Sequence, residues 1–104
     1  KYPRLFIGND VWIGSNTVLF SGITIGDGAV IGAYAIITKD IPPYSVAVGQ
    51  SRIIRERFSN KDIAFLLKLK WWDFEDEIVA SIAHILCSPN INALRTWAKE
   101  NKKI

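Results

Sequence analysis

The 104-residue sequence contains no methionine, one cysteine, one histidine and no apolar run that approaches the length of a membrane span. Each scarcity excludes something. Without methionine even at position 1, the chain is expected to be part of a longer or processed protein. A single cysteine, Cys87, excludes an internal disulfide and fits a reducing compartment. Free cysteine behaves as a small hydrophobe, so Cys87 is expected to be buried near a helix end. A single histidine, His84, excludes the several-histidine zinc chemistry that needs three or four ligands. A span needs about 18 consecutive apolar residues, and none is present. The basic start Lys1-Tyr2-Pro3-Arg4 leads into no apolar stretch with a cleavage site, so no signal peptide is expected. The length suits one small domain rather than two independent ones. A net charge of +3 permits an anionic ligand. The basic residues lie mostly in the second half without an aromatic reading surface, so a nucleic-acid partner is not expected.

What the sequence does have is a repeat. Ile7, Ile13, Leu19, Ile25, Ile31 and Ile37 follow one another at intervals of six. Four residues after each stand Val11, Thr17, Ile23, Ala29, Ala35 and Ile41, all small or β-branched. The residue directly after each is glycine in four of the six units: Gly8, Gly14, Gly26 and Gly32. A period of six is neither helical nor that of a simple strand. It fits a solenoid of short strands joined by tight corners, with the aliphatic residue inside and glycine or a polar residue at the turn. Three units make one triangular coil, so about two coils are expected, with Ile7 stacked on Ile25 and Ile13 on Ile31. A repeat unit cannot cover its own apolar face, so each end requires a cap.

After Ile41 the composition changes. Pro42-Pro43 ends the last strand, and residues 44–51 read as an ordered loop or short strand. From Arg52 the chain becomes charged and then helical. Ser59 with Asp62 resembles an N-cap with a capping box. Residues 63–70 are apolar round most of the helix, as in a helix buried on more than one side. Glu75-Asp76-Glu77 complements the dipole of a second helix, in which Ile78, Ile82, Ile85 and Leu86 share one face. On the same spacing His84 falls with Glu77, Ser81 and Ser88 on the opposite, solvent-facing side. Ser88-Pro89 reads as the cap and first residue of a third helix. Its face is Ile91, Leu94, Trp97 and Ala98, with Lys99, Lys102 and Lys103 near its end. Trp71, Trp72 and Trp97 read as packing residues.

The run IGNDVWIG, followed by SGITIGDGAVIGAYAIITKDIPPYSVAVG, resembles the C-terminal coils of the hexapeptide-repeat acetyltransferases. The later segment RERFSNKDIAFLLKLKWWDF is similar to the xenobiotic branch, which acetylates chloramphenicol or streptogramins, and to related capsule and sugar O-acetyltransferases. The resemblance implies a mainly β fold, a left-handed parallel β-helix over residues 1–50 with a C-terminal α-helical extension over 51–104. It implies a cytoplasmic homotrimer that carries acetyl-CoA as co-substrate, without a metal, in a cleft between neighbouring β-helices. The reaction it implies is transfer of an acetyl group to a hydroxyl or amine of a small-molecule, sugar or antibiotic acceptor. The family's catalytic base is a histidine, a group that titrates near neutrality and suits that proton transfer. It is expected upstream of Lys1, and His84 does not take that role. Carried over by position, the cofactor residues are Ser15, Ala33, Thr38, Lys39, Arg52 and Arg55. Arginine forks and lysine point charges suit the CoA phosphates. Arg57 does not match the motif. The segment before Arg52 reads Gly49-Gln50-Ser51, where the family often has Gly-x-Pro. Trp12 faces outward and is read either as a wall for cofactor or acceptor or as subunit packing.

Other β-helix functions can be weighed on residues. Ice-binding solenoids need stacked threonines, but Thr17, Thr24 and Thr38 occupy three different repeat positions. The absence of histidine from the repeat region leaves a non-catalytic trimerising or structural module as the alternative.

Overall fold

The computed structural model of the protein describes residues 4–88 and 90–103. Six two-residue strands occupy the repeat: β1 (Phe6–Ile7), β2 (Trp12–Ile13), β3 (Val18–Leu19), β4 (Thr24–Ile25), β5 (Val30–Ile31) and β6 (Ile36–Ile37). They are short because each hexapeptide must turn a corner soon after its extended pair. β1 pairs with β4, β2 with β5 and β3 with β6, all in parallel. Ile7 meets Ile25, Ile13 meets Ile31 and Leu19 meets Ile37, so every strand finds its partner three repeat units on. The chain therefore visits three sheets in turn and stacks in register, as the period of six requires.

A third, shorter turn follows. β7 (Ser45–Val48) pairs in parallel with β5, while Ile41 bridges to Ile25 and Gln50 to Ile36. The offset drops below three full units at Ile25–Ile41 and shortens again at Ile36–Gln50. The expected two coils thus become two regular turns and one irregular one. The chain then reverses: β8 (Arg52–Glu56) is antiparallel to β7. Residues 52–56 are strand, not the charged approach to a helix, because β7 presents an open edge whose backbone groups need partners. The two compact units divide between Ser59 and Asn60.

The interior of the first unit is Ile23, Ile25, Ala29, Ile31, Ala35, Ile37, Ile41 and Ala47. Each fully buried isoleucine contributes about 1.5–3 kcal/mol relative to exposure. Ile7 and Ile13 remain 47% and 36% exposed, since a coil covers them on one side only.

In the second unit, α1 (Asn60–Leu69) is followed by a 3-10 turn over Trp71–Asp73, then α2 (Asp76–Leu86) and α3 (Ile91–Glu100). Ser59 stands directly before α1. That helix buries Ile63, Phe65, Leu66 and Leu69 while Ala64 and Lys68 stay exposed, so it hides one broad face rather than its whole circumference. Arg95 joins α3 to α1 by an ion pair with Asp62 (2.6 Å) and by lying over the Phe65 ring (4.8 Å). α2 packs on α3, with Ile82, Leu94 and Ala98 buried. Trp71 and Trp72 meet edge to face at 5.7 Å, and Trp97 meets Phe74 at 5.9 Å, consistent with packing roles.

Two expectations change here. The cap of α3 is Asn90, whose side chain accepts from the Asn92 amide, and Ser88 instead accepts from the Asn90 amide. Pro89 lies outside the described residues. Cys87 is exposed, because it is the C-cap of α2 and has left the apolar face of that helix. His84 is exposed, as its helical position predicts. Among the described residues no helix is long and apolar enough to cross a membrane.

Candidate functional site

Four features of the first unit position the residues singled out above. One is the corner after β2 and β5. Ser15 and Ala33 occupy equivalent places one coil apart, and the Tyr34 amide donates to the Ser15 carbonyl at 2.9 Å. The backbones approach so closely that a Cβ on Gly14 would lie 2.5 Å from the Ala33 nitrogen. Both Ser15 and Ala33 are exposed, so this corner presents small side chains and nearby backbone to solvent.

The second feature is the end of β6. Thr38 and Lys39 are exposed, and the Thr38 amide donates to the Ser51 hydroxyl at 2.8 Å. The two hydroxyls, Thr38 Oγ1 and Ser51 Oγ, lie 3.2 Å apart, and Ser51 Oγ donates to the Ile36 carbonyl at 3.3 Å. The Ile36 amide also donates to the Gly49 carbonyl (2.8 Å). The loop of residues 49–51 is thereby fastened across β6. The residue before Arg52 is held beside the residue before Lys39, which brings together two basic segments that are well separated in sequence.

A bulge is the third feature. Arg52 and Arg55 are three residues apart, so a regular strand would send them to opposite faces. Here Val48 pairs with Arg52, Ala47 with Ile53 and Val46 with Arg55, leaving Ile54 as the extra residue. A bulge of this kind resets the alternation. Both arginines consequently share the side of the sheet that carries Val46 and Val48, opposite the buried Ala47. All of β8 is exposed.

The fourth is the outer face of the same sheet. Trp12 pairs with Val30, Val30 with Val46, and Val46 with Arg55. These four form one cross-strand row, with Trp12 59% exposed at one end and Arg55 at the other. Strand spacing puts those ends about 14 Å apart. The sequence-expected residues thus fall on one sheet face, the adjoining corner and the fastened loop. Sequence reasoning had no means of placing the bulge at Ile54, since it depends on how β8 meets β7.

A polar cluster at another corner lay outside those expectations. Asn9 and Asp27 stack, with the Asn9 amide donating to Asp27 Oδ1 at 2.7 Å. Tyr44 continues the stack, donating its amide to the Asp27 carbonyl (2.8 Å) and accepting from the Arg57 amide at its own carbonyl (2.7 Å). Arg57 donates to the Gly28 carbonyl at 2.7 Å and lies over the Tyr44 and Phe58 rings. The Tyr44 hydroxyl is buried and finds no hydrogen-bond partner among the described residues. Burial, reinforced by the Asp10 and Asp27 carboxylates and opposed by Arg57, pushes its pKa up to about 12. Asp10 is also raised, by desolvation first, with Arg57 pulling the other way. Arg57 is thereby engaged in holding this corner.

Comparison with known proteins gives the remaining information. The family described as bacterial transferase hexapeptide (six repeats) matches residues 5–39. A chloramphenicol acetyltransferase of Agrobacterium fabrum is 45% identical over 97 residues, which is 91% of this chain and 46% of that protein. The solved structure of a galactoside acetyltransferase in complex with coenzyme A aligns with a TM-score of 0.53 and 48% identity, covering 71% of this chain and 34% of the other. A hexapeptide-repeat acetyltransferase of Vibrio cholerae, solved with acetyl coenzyme A, aligns with a TM-score of 0.54 and 36% identity, covering 55% and 32%. The chain spans about half the length of the curated relatives it matches.

Proposed function

We propose, for a chain whose residues 5–39 carry the six hexapeptide repeats of the bacterial transferases, that it supplies the CoA-binding side of an acetyl-CoA-dependent O-acetyltransferase. The solenoid is read as a left-handed β-helix, and the whole protein as a cytoplasmic homotrimer acting on a small-molecule, sugar or antibiotic hydroxyl, or an amine. Chloramphenicol and galactoside are the acceptors in the names of its relatives. The exposed single thiol of Cys87 is in keeping with a reducing compartment.

The observation that carries this reading is the basic surface made by the Thr38–Ser51 link and the β8 bulge. Lys39, Arg52 and Arg55 are exposed on adjoining segments and free to pair with phosphate. Ser15 and Ala33, at the corner, leave room for a slender chain to run against the backbone. In the acyl-transfer step the acceptor oxygen attacks the thioester carbonyl, its proton passes to a base, and CoA leaves as the thiol. This chain's part is to hold the CoA phosphates and orient the thioester. The resemblance assigns the base to a histidine, and that role is not carried onto His84, which is exposed on α2.

The absence of histidine from the first unit favours one other reading, a trimerising module without catalysis. Calorimetric titration of the chain with CoA separates the two. Micromolar binding is expected, weakened about tenfold by Lys39→Ala and by Arg55→Ala, as for loss of one charge-assisted phosphate contact. Arg57→Ala is expected to leave the affinity unchanged. Absence of binding, or binding indifferent to Lys39 and Arg55, would sink the cofactor reading.

A further inference from the structure

Tyr34 stands where a tyrosine is ill suited. Its φ is +62°, in the left-handed region that favours glycine and, after it, asparagine. The equivalent position one coil earlier is Asn16, with φ +58°. Among the described residues, the Tyr34 ring and hydroxyl make no hydrogen bond and no ring contact, and the residue is 73% exposed. The chain thus bears backbone strain for a side chain that returns nothing to its own fold. The left-handed φ belongs to the corner itself, since Asp10, Asn16, Gly22 and Gly28 share it at intervals of six; what lacks an internal reason is a tyrosine at that place, and such an outlier is a pointer to function.

Its place in the coil narrows what that function is. Tyr34 directly follows Ala33, and its amide is fixed to the Ser15 carbonyl. The corner is tightly packed, since a Cβ added at Gly14 would lie 2.5 Å from the Ala33 nitrogen. From there β6 runs to Thr38 and Lys39, with Ile36 exposed on its outer side. An exposed aromatic ring on an anchored backbone stands at one end of this strip and exposed basic residues on adjoining segments at the other. Between them are small side chains, an apolar side chain and backbone. That order of chemistry suits an elongated ligand with a flexible amide-and-methyl arm and a phosphate end.

We propose that Tyr34 is a cofactor-binding residue whose ring walls the pantetheine arm of CoA at the Ser15–Ala33 corner. The proposal rests on the CoA reading above. The arm carries amides and a pair of methyl groups, which an aromatic face covers without needing a matched hydrogen bond.

Titrations of the chain and its Tyr34→Gly and Tyr34→Phe variants with CoA and with 3′,5′-ADP, which lacks the arm, test this. Tyr34→Gly relieves the strained φ, so its melting temperature is expected to hold or rise by up to about 5 °C. Its CoA affinity is nevertheless expected to fall about 5- to 20-fold, the scale of a lost aromatic contact, with 3′,5′-ADP affinity within about twofold of the parent. Tyr34→Phe is expected to keep full affinity. Unchanged CoA affinity in Tyr34→Gly, while Lys39→Ala still weakens it, overturns the role of Tyr34 and leaves the CoA reading standing. An equal loss for 3′,5′-ADP overturns it by placing the ring on the nucleotide. A fall in association state by sedimentation overturns it by placing the ring against a second copy. A parent chain that binds no CoA removes both readings.

Discussion

Replacing Gly28 by alanine tests whether the Asn9–Asp27–Tyr44 corner is held as described. Gly28 has φ +70°, and a Cβ there falls on three carbons of the Tyr44 ring. Two penalties add. The left-handed conformation costs an alanine about 1–2 kcal/mol. The ring must also move, although it is 1% exposed, packed edge to face on Phe58 at 5.8 Å and covered by Arg57. A buried aromatic hides about 150–250 Å², worth about 4–6 kcal/mol at 25 cal/mol per Å², and losing a third to a half of that gives about 2 kcal/mol. The expected total is about 3–4 kcal/mol. Gly49→Ala is the internal control: its φ is +56°, but nothing lies within 4 Å of the added carbon, so only the conformational part applies, about 1 kcal/mol. Urea unfolding followed by circular dichroism measures both. In a Tyr44→Gly background the cost of Gly28→Ala should shrink by about 2 kcal/mol, because the ring it strikes is gone. If Gly28→Ala and Gly49→Ala destabilise equally, within about 0.5 kcal/mol, the packing of Tyr44 over Gly28 is wrong.

Tyr44→Phe removes a buried hydroxyl that has no partner among the described residues and is expected to be neutral or stabilising by up to about 1.5 kcal/mol, read from the same urea curves. Above pH 10 the unfolded chain ionises this tyrosine while the folded one holds its proton to about 12. The native state then binds more protons, so stability falls as pH rises. The loss is about 2–3 kcal/mol by pH 12 relative to Tyr44→Phe, and parallel pH profiles for the two proteins would contradict the burial of that hydroxyl. Ile31→Ala should cost about 3–4 kcal/mol and Ile13→Ala about half as much, since Ile31 is fully buried and Ile13 is 36% exposed. Equal melting temperatures for the two would contradict the coverage of the second coil.

Much of this was legible in the residues. The step of six from Ile7 to Ile37 gave the pairing of every regular strand, because stacking three units on is the only way such short strands find partners. α2 and the apolar face of α3 followed from helical spacing in the same way. Cys87 did not, because its burial hangs on whether the helix continues past Leu86. The α3 cap was misplaced by two residues, since serine and asparagine both cap well and only the folded backbone selects Asn90. The irregular third turn was not counted because it shortens, and no period signals a turn that breaks the period.

The sequence by itself determined the repeat, the stacking and the identity of the basic and small residues, since these follow from side-chain type and local spacing. Only the tertiary structure decided which of them share a surface. Arg52 and Arg55 lie on one face because β8, meeting the edge of β7, leaves Ile54 unpaired. The segments that carry Lys39 and Arg52 come together because Ser51 hydrogen-bonds to Thr38. Tyr34 and Tyr44, both left-handed, part ways because one corner is open to solvent and the other closes around its ring. Each of these outcomes depends on contacts between segments far apart in the chain, whose geometry no local pattern encodes.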